Sequence, residues 1–247
     1  MAKSSGVWAA DGLFEAAMGI SEELCHPLKI SGKFRNGDSF SPKDQVAEWK
    51  GSPTGILVLE RAVINLASYA CGIATATRHL VQLVAKKKLK NPPRITLTRK
   101  TLPGYRDLAI EAVIAGGGHP HRVSLSGGVL VKENHLGVLG GIRSAVEKCR
   151  IVAPHGLKVE IEVKNQKELK QALDAGADAV LLDNFSPEGV AQALLLTRER
   201  AQPVIVEVSG GLNEHSILDY AMEGVDILSV GGLTHSVRSV DLSLLMK

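Results

Sequence analysis

The sequence predicts an α/β fold, an incomplete (β/α) barrel with a smaller α/β N-terminal domain. Three observations lead there. After Asn91-Pro92-Pro93, short aliphatic runs alternate with helical ones, the rhythm of βαβ units on a parallel sheet. Aromatic residues make up only 4% of the chain, so Val, Ile, Leu and Ala must fill the interior, as they do where helices cover both faces of parallel strands. Finally, each aliphatic run leads into polar or glycine-rich residues, as strands ending at one functional mouth do.

Six strands are predicted: RITLT (94–98), VLV (129–131), KVEIEV (158–163), AVLL (179–182), VIVEV (204–208) and DILSV (226–230). Between them lie the helical patterns DLAIEAVIA, VLGGIRSAVEKC, QKELKQALDAG, EGVAQALLLTRE and NEHSILDYAMEG; Gly176 and Gly224 suit the position just past a helix end. Six strands in this rhythm favour a barrel over a doubly wound sheet; no GxGxxG follows the first strand and no GxxxxGK[ST] occurs, so nucleotide-fold motifs are absent. Upstream, a short helix is expected around Leu13–Ala17, followed by polar, Gly-containing segments such as 32–38. From Ile56 to about Lys88 runs a long apolar stretch, read as one helix or as two with a break near Gly72. The domains are therefore residues 1–91, an N-terminal α/β domain with long helices; 92–235, the barrel; and 236–247, a tail packing back on the N-terminal domain.

Composition narrows the function. A length of 247 residues suits one large α/β domain with a smaller companion. The net charge of +3 is mild, and the run Lys86-Lys87-Lys88 with Lys90 reads as a helix end, so nucleic-acid binding is not expected. Cys25, Cys71 and Cys149 are odd in number and widely spaced, without a zinc or disulfide pattern, which points to a reducing compartment. The N-terminus lacks an apolar signal core, and no stretch reads as a membrane span. The expected location is the cytoplasm.

The chemistry lies in the residues just past each strand. The first runs into Arg99-Lys100, the second into Lys132-Glu133-Asn134, and the fourth into Asp183-Asn184. The last two end in Ser209-Gly210-Gly211 and Gly231-Gly232, where barrels commonly bind phosphate through backbone N–H groups. Plain turns would account for either glycine pair alone; two in succession favour a phosphate site, to which His235 adds a donor. In KVEIEV, Val159, Ile161 and Val163 share one side and Glu160 and Glu162 the other. Glu162 then needs a cation, a metal, sugar hydroxyls or a salt bridge to Lys132 or Lys158. Arg99, Lys100, Arg106, His121, Arg122 and Lys132 form a cationic set suited to carboxylates or phosphates. His119-Pro120-His121 has no carboxylate or cysteine beside it in the sequence, so zinc is not expected there.

Taken together, ERAVINLASYACGIATAT, TRKTLPGYR, GGGHPHRVSLSGGVLVKENH, VEIEV, LLDNF, EVSGGLN and SVGGLTHSVRSVDLSL resemble the quinolinate phosphoribosyltransferase family (nicotinate-nucleotide pyrophosphorylase, carboxylating), from about Gly6 to the end. The resemblance implies a homodimer with shared active sites and a reaction of quinolinate with phosphoribosyl pyrophosphate. The products would be nicotinate mononucleotide, pyrophosphate and carbon dioxide, with magnesium as cofactor. It places Arg99, His121, Arg122 and Lys132 around quinolinate, counts Thr98 among the substrate-binding residues and carries Arg61 into the partner's site. By the same resemblance Lys100 contacts the phosphoribosyl donor, while Glu162 and Asp183 hold ribose hydroxyls and the magnesium-bound donor. Ser209, Gly210, Gly211, Gly231, Gly232 and His235 cradle the 5′-phosphate.

Relative to the family the chain begins late, which implies a shortened N-terminal domain. Pro120 stands where the family usually has Asn, and Leu97-Thr98 where Asp-Thr is usual; both features lean towards the related ModD-type proteins. Those tend to lack counterparts of Arg61 and Lys132, which are present here, so the transferase comes first. The alternatives are a ModD-like transferase with another nitrogen acceptor, a non-catalytic phosphosugar-binding dimer and, last, a Schiff-base aldolase using Lys100 or Lys132.

Overall fold

The computed structural model describes residues 1–246. In chain order it contains β1 (Gly6–Val7), α1 (Asp11–Glu23), β2 (Leu28–Gly32), β3 (Ser39–Phe40), β4 (Ala47–Gly51), α2 (Pro53–Ala85) and β5 (Arg94–Thr96). There follow α3 (Arg106–Ala115), β6 (Val129–Val131), α4 (Glu133–Leu139), α5 (Ile142–Val152), β7 (Val159–Val163), α6 (Gln166–Asp174) and β8 (Ala179–Asp183). The chain ends with α7 (Pro187–Arg198), β9 (Ile205–Ser209), α8 (Ile217–Tyr220), β10 (Ile227–Ser229) and α9 (Gly232–His235). Two compact units share these elements: Met1–Val81 with Lys100–His119 and Gly232–Lys247, and Gln82–Arg99 with Pro120–Gly231.

The first unit collects most of the chain's few aromatics. Trp8 is fully buried, stacks at a tilt on Phe14 with ring centroids 5.3 Å apart, and meets Phe40 edge-on at 6.3 Å. Its indole N–H, which burial would otherwise leave unpaired, donates to Asp11 Oδ1 at 2.9 Å. Two small antiparallel pairs, β1 with β3 and β2 with β4, frame this cluster. None of these strands is among those predicted from the sequence, since two-residue strands and sequences such as AEWKG carry little period-two signal. The C-terminal segment belongs to this unit, with Ala2 bridging Leu242 antiparallel.

Helix α2 is one unbroken helix of 33 residues. Val63, Ala67, Ala70, Cys71 and Ala74 are buried at three- and four-residue spacing, and burial pushes the Cys71 thiol up to about 12, leaving it inert. Contrary to the sequence expectation, α2 is long and apolar enough to cross a membrane by length and composition. Part of that apolar surface, Val63, Ala67 and Cys71 among it, is core of the first unit. Gly72 does not break it. A Cβ there would lie 2.5 Å from the Arg238 carbonyl oxygen, so glycine is retained for close approach of a backbone.

In the second unit six parallel strands pair in the order β5-β10-β9-β8-β7-β6. From β6 to β10 each strand lies beside its successor, with no reversal, and β5, the first, pairs with β10, the last. That cyclic order is a barrel left open between β5 and β6. One face of every strand is aliphatic and sealed: Ile95, Val131, Val159, Ile161, Val180, Leu182, Val206, Val208 and Leu228 are all at most 3% exposed. Leu169 and Ala172 of α6 and Val190 and Ala193 of α7 are buried with them. Asn165 and Ser186 cap α6 and α7 directly after their strands, accepting from Glu168 N at 2.9 Å and Gly189 N at 3.1 Å.

Gly176, at a φ of 81°, follows α6 as expected; Leu173 O and Ala172 O accept from the N–H groups of Gly176 and Ala177. Elsewhere the helical readings need correction. VLGGIRSAVEKC is split into α4 and α5, because Gly140 and Gly141 both take positive φ. NEHSILDYAMEG keeps only the four-residue α8; Gly224 lies well past its end.

Gly72→Ala gains about 1 kcal/mol of helix propensity, yet the Arg238 contact should win, with a net loss of roughly 1–3 kcal/mol as in overpacked cores. Chemical denaturation of the variant measures this directly. A variant as stable as the parent would show that the segment around Arg238 yields freely.

Candidate active site

Strand pairing brings the other face of the open barrel together. Glu160 lies opposite Leu130 and Ala179, Glu162 opposite Leu181, Leu181 opposite Glu207, and Asp183 opposite Ser209. Ser209 lies opposite Ser229, which lies opposite Thr96, and the Thr96 and Ser229 hydroxyls are 2.7 Å apart. Of the carboxylates on this face, Glu160 and Glu207 line a cavity of about 440 Å³ over the amino-terminal halves of the strands. Thr96, His121, Arg122, Glu160, Ile205 and Glu207 line it.

Glu207 is 1% exposed and was not singled out from the sequence. The signal was present: in VIVEV it alternates with Val206 and Val208 as Glu160 and Glu162 alternate with their neighbours. His121 Nε2 lies 3.2 Å from Glu207 Oε2, and Glu160 shares a hydrogen bond with Glu207. Burial first, then the charge of Glu207, pushes the Glu160 carboxyl up to about 8. Glu160 is thereby biased towards its protonated form.

His121, Glu160 and Glu207 offer three donor atoms within 4.8 Å of one another, so carboxylates absent beside His121 in the sequence are beside it in space. The histidine tautomer nevertheless suits a proton better than a metal ion. Arg122 N–H donates to His121 Nδ1 at 2.8 Å, so the ring hydrogen must be on Nε2, pointing at Glu207. A metal at Nε2 would require the hydrogen on Nδ1, where this amide already donates.

Arg122 also donates from Nη1 to the Gly128 carbonyl at 3.2 Å. Burial and the neighbouring Arg99 pull Arg122 below its ordinary value, while Glu160 and Glu207 act the other way. The Nε atoms of Arg99 and Arg122 are both buried without a hydrogen-bond partner among the described residues. Two neighbouring guanidiniums with unpartnered buried donors suit an anion with more than one acidic group. Towards the carboxyl ends of the strands, Lys132 Nζ holds Glu162 Oε2 at 2.5 Å. Of the two lysines considered for Glu162, Lys132 is its partner.

At those carboxyl ends Asp183 is half-buried and accepts from Asn184 Nδ2 at 2.9 Å. Asn184 takes a left-handed φ of 55° and its N–H donates to Ser209 O at 2.9 Å. A Cβ on Gly210 would fall 2.2 Å from Asn184 Oδ1, and Gly210 and Gly211 have φ of 103° and 63°. Within Ser209-Gly210-Gly211, Gly210 is thus a position that only glycine can fill. Thr98 and Gly231 follow β5 and β10 in the same unit.

The remaining expected residues lie in the first unit. Arg61 is exposed on α2, 3.8 Å from Glu60 Oε1. The Lys100 carbonyl accepts from Thr234 Oγ1 at 2.8 Å, and the Thr234 carbonyl accepts from Tyr69 OH at 2.9 Å. Gly232 opens α9, and His235 at its end pairs through Nδ1 with Ser236 Oγ at 2.7 Å.

Comparison with known proteins gives one consistent result. The family profile for the quinolinate phosphoribosyl transferase C-terminal domain matches residues 73–245. A probable nicotinate-nucleotide pyrophosphorylase (carboxylating) of Methanocaldococcus jannaschii is 43% identical over 221 residues, 88% of this chain and 76% of that protein. The human nicotinate-nucleotide pyrophosphorylase (carboxylating) is 35% identical over 243 residues, 98% of this chain and 80% of its own. The structure of the nicotinate-nucleotide pyrophosphorylase from Francisella tularensis superimposes with a TM-score of 0.85 at 33% identity, covering 98% of this chain and 83% of that one.

The raised Glu160 carboxyl carries a sign for stability. From its ordinary 4.5 to about 8 the folded state binds the extra proton, so this contribution is complete below the lower value and lost as pH rises through the upper one. Melting temperatures recorded across this window should fall with rising pH in the parent and fall less in Glu160→Gln. Parallel curves would show that Glu160 is ionised throughout.

Proposed function

This chain belongs to the quinolinate phosphoribosyltransferase family, and on that premise we propose how its site performs the family's reaction. The enzyme moves a phosphoribosyl group from phosphoribosyl pyrophosphate to quinolinate with decarboxylation, giving nicotinate mononucleotide, pyrophosphate and carbon dioxide for NAD biosynthesis. The observation that carries the site reading is the adjoining pair Arg99 and Arg122, each with a buried Nε donor that no protein group takes up among the described residues. Quinolinate brings two carboxylates on neighbouring ring carbons, and two guanidiniums orient both while leaving the ring nitrogen free to attack. Lys132 adds a third cation on exchanging Glu162 for substrate.

Loss of pyrophosphate leaves positive charge growing on the ribose, which Glu162 and Asp183, towards the carboxyl ends of β7 and β8, would stabilise. The turn at Ser209-Gly210-Gly211, with Gly231 after β10, offers backbone N–H groups to the 5′-phosphate. Asp183 would offer magnesium a hard oxygen, and Glu162, released as Lys132 turns to the substrate, would offer a second. These residues therefore fit a magnesium ion carried largely by the donor's pyrophosphate, whose leaving charge it would neutralise. The roles of Arg61, Lys100, Gly232 and His235 rest on the family resemblance alone. Leu57 and Val58, exposed on the same face of α2 as Arg61, support a homodimer. Three free thiols support a cytoplasmic location.

The test is release of pyrophosphate and carbon dioxide with magnesium, phosphoribosyl pyrophosphate and quinolinate. Arg99→Ala and Arg122→Ala should each lower kcat/KM by roughly a hundredfold or more, the scale expected when a charged partner of a carboxylate is lost. Full activity in either variant would remove that arginine from the substrate site.

A further inference from the structure

The mechanism proposed for the transfer leaves the acid pair Glu160 and Glu207 unused, and Glu207 is the more deeply buried of the two. Glu207 stands in the middle of β9 with aliphatic Leu181 and Ile227 opposite it on the flanking strands, so the sheet itself has no use for a carboxylate there. Burying one is costly, and leucine would fill the same space without that cost. What Glu207 does contact is His121, and His121 in turn is bonded through Nδ1 to the main-chain N–H of Arg122.

Resting on the transferase reading, we propose that Glu207 is a positioning residue for acceptor binding: it fixes the His121 ring, and through it the backbone from which Arg122 reaches quinolinate. Each link is a directional bond. Glu207 accepts from Nε2–H, which commits Nδ1 to accept from Arg122 N–H; that bond pins the start of the segment 121–128, whose other end Arg122 grips through the Gly128 carbonyl. Glu160, hydrogen-bonded to Glu207 from β7, keeps the carboxylate aimed at His121 across the barrel. Glu207 touches no reacting atom; its effect falls on the dicarboxylate and not on the phosphoribosyl donor.

Glu207→Gln keeps the chain, since the amide oxygen accepts from His121 while its N–H₂ donates to Glu160. Glu207→Leu breaks it. We expect Glu207→Leu to raise KM for quinolinate roughly tenfold or more with KM for phosphoribosyl pyrophosphate within about twofold, and Glu207→Gln to keep quinolinate KM within about threefold of the parent. A purely structural role would instead lower the melting temperature and leave both KM values in place, and that result overturns the proposal. Long-range ¹H–¹⁵N spectra of the histidines give a readout that needs no turnover. His121 should be the neutral Nε2–H tautomer in the parent and in Glu207→Gln, and a mixture of tautomers in Glu207→Leu. An unchanged tautomer in Glu207→Leu also overturns the proposal. A parent enzyme silent with quinolinate but showing the expected tautomers would instead count against the transferase reading. Should Glu207→Leu fail to fold, Glu207→Gln and His121→Asn carry the same comparison, with the asparagine expected to raise quinolinate KM selectively.

Discussion

Two carboxyl groups, Glu160 and Glu207, face each other inside a barrel whose other surface is sealed by helices. Isolated, either charge would be prohibitive in such a place. They persist because Glu160 is biased towards its protonated form, His121 turns its Nε2–H towards Glu207, and Arg122 lies close enough to pull on both. The rest of the site is arranged around this balance. Arg99 and Arg122 stand together although like charges repel, and part of that repulsion is offset by the acids beneath Arg122. What remains is a net attraction for an anion that can take the two buried Nε donors.

The same pairing of charges orders the barrel from one end to the other. Over the amino-terminal halves of the strands lie the proton-sharing acids and His121; further along Lys132 holds Glu162; at the carboxyl ends Asp183, Asn184 and the glycine turn after Ser209 lock to one another. The close fit of Gly210 against Asn184 ties the ends of β8 and β9, so an acidic strand end and a phosphate-type turn are held in register by backbone sterics. Rigid strands carry the charges, and the loops supply backbone donors.

Much of this was legible in the sequence. Alternation in KVEIEV placed Glu160 and Glu162 on one side, and six aliphatic runs in βα rhythm gave the parallel sheet. What stayed hidden depends on long-range contact. Nothing near His121 in sequence announces Glu207, 86 residues away. The apolar run around Gly72 shows its helix, but not that a distant backbone passes close enough to forbid a side chain. Helix readings failed where glycine pairs took positive φ at 140 and 141, and where the pattern over 213–224 stood for a mostly irregular segment. The acceptor's identity came from the family resemblance; spacing and charge alone reach only an anion held near a phosphate.

The central claim is that paired guanidiniums select an acceptor with two carboxylates. Titration calorimetry of the parent enzyme with quinolinate and with nicotinate, at one ionic strength, tests it most directly. Quinolinate should bind at least about tenfold more tightly, the value of one further charged hydrogen bond. Equal affinity for the two acids would mean that the second carboxylate finds no partner, and that Arg99 and Arg122 serve something else.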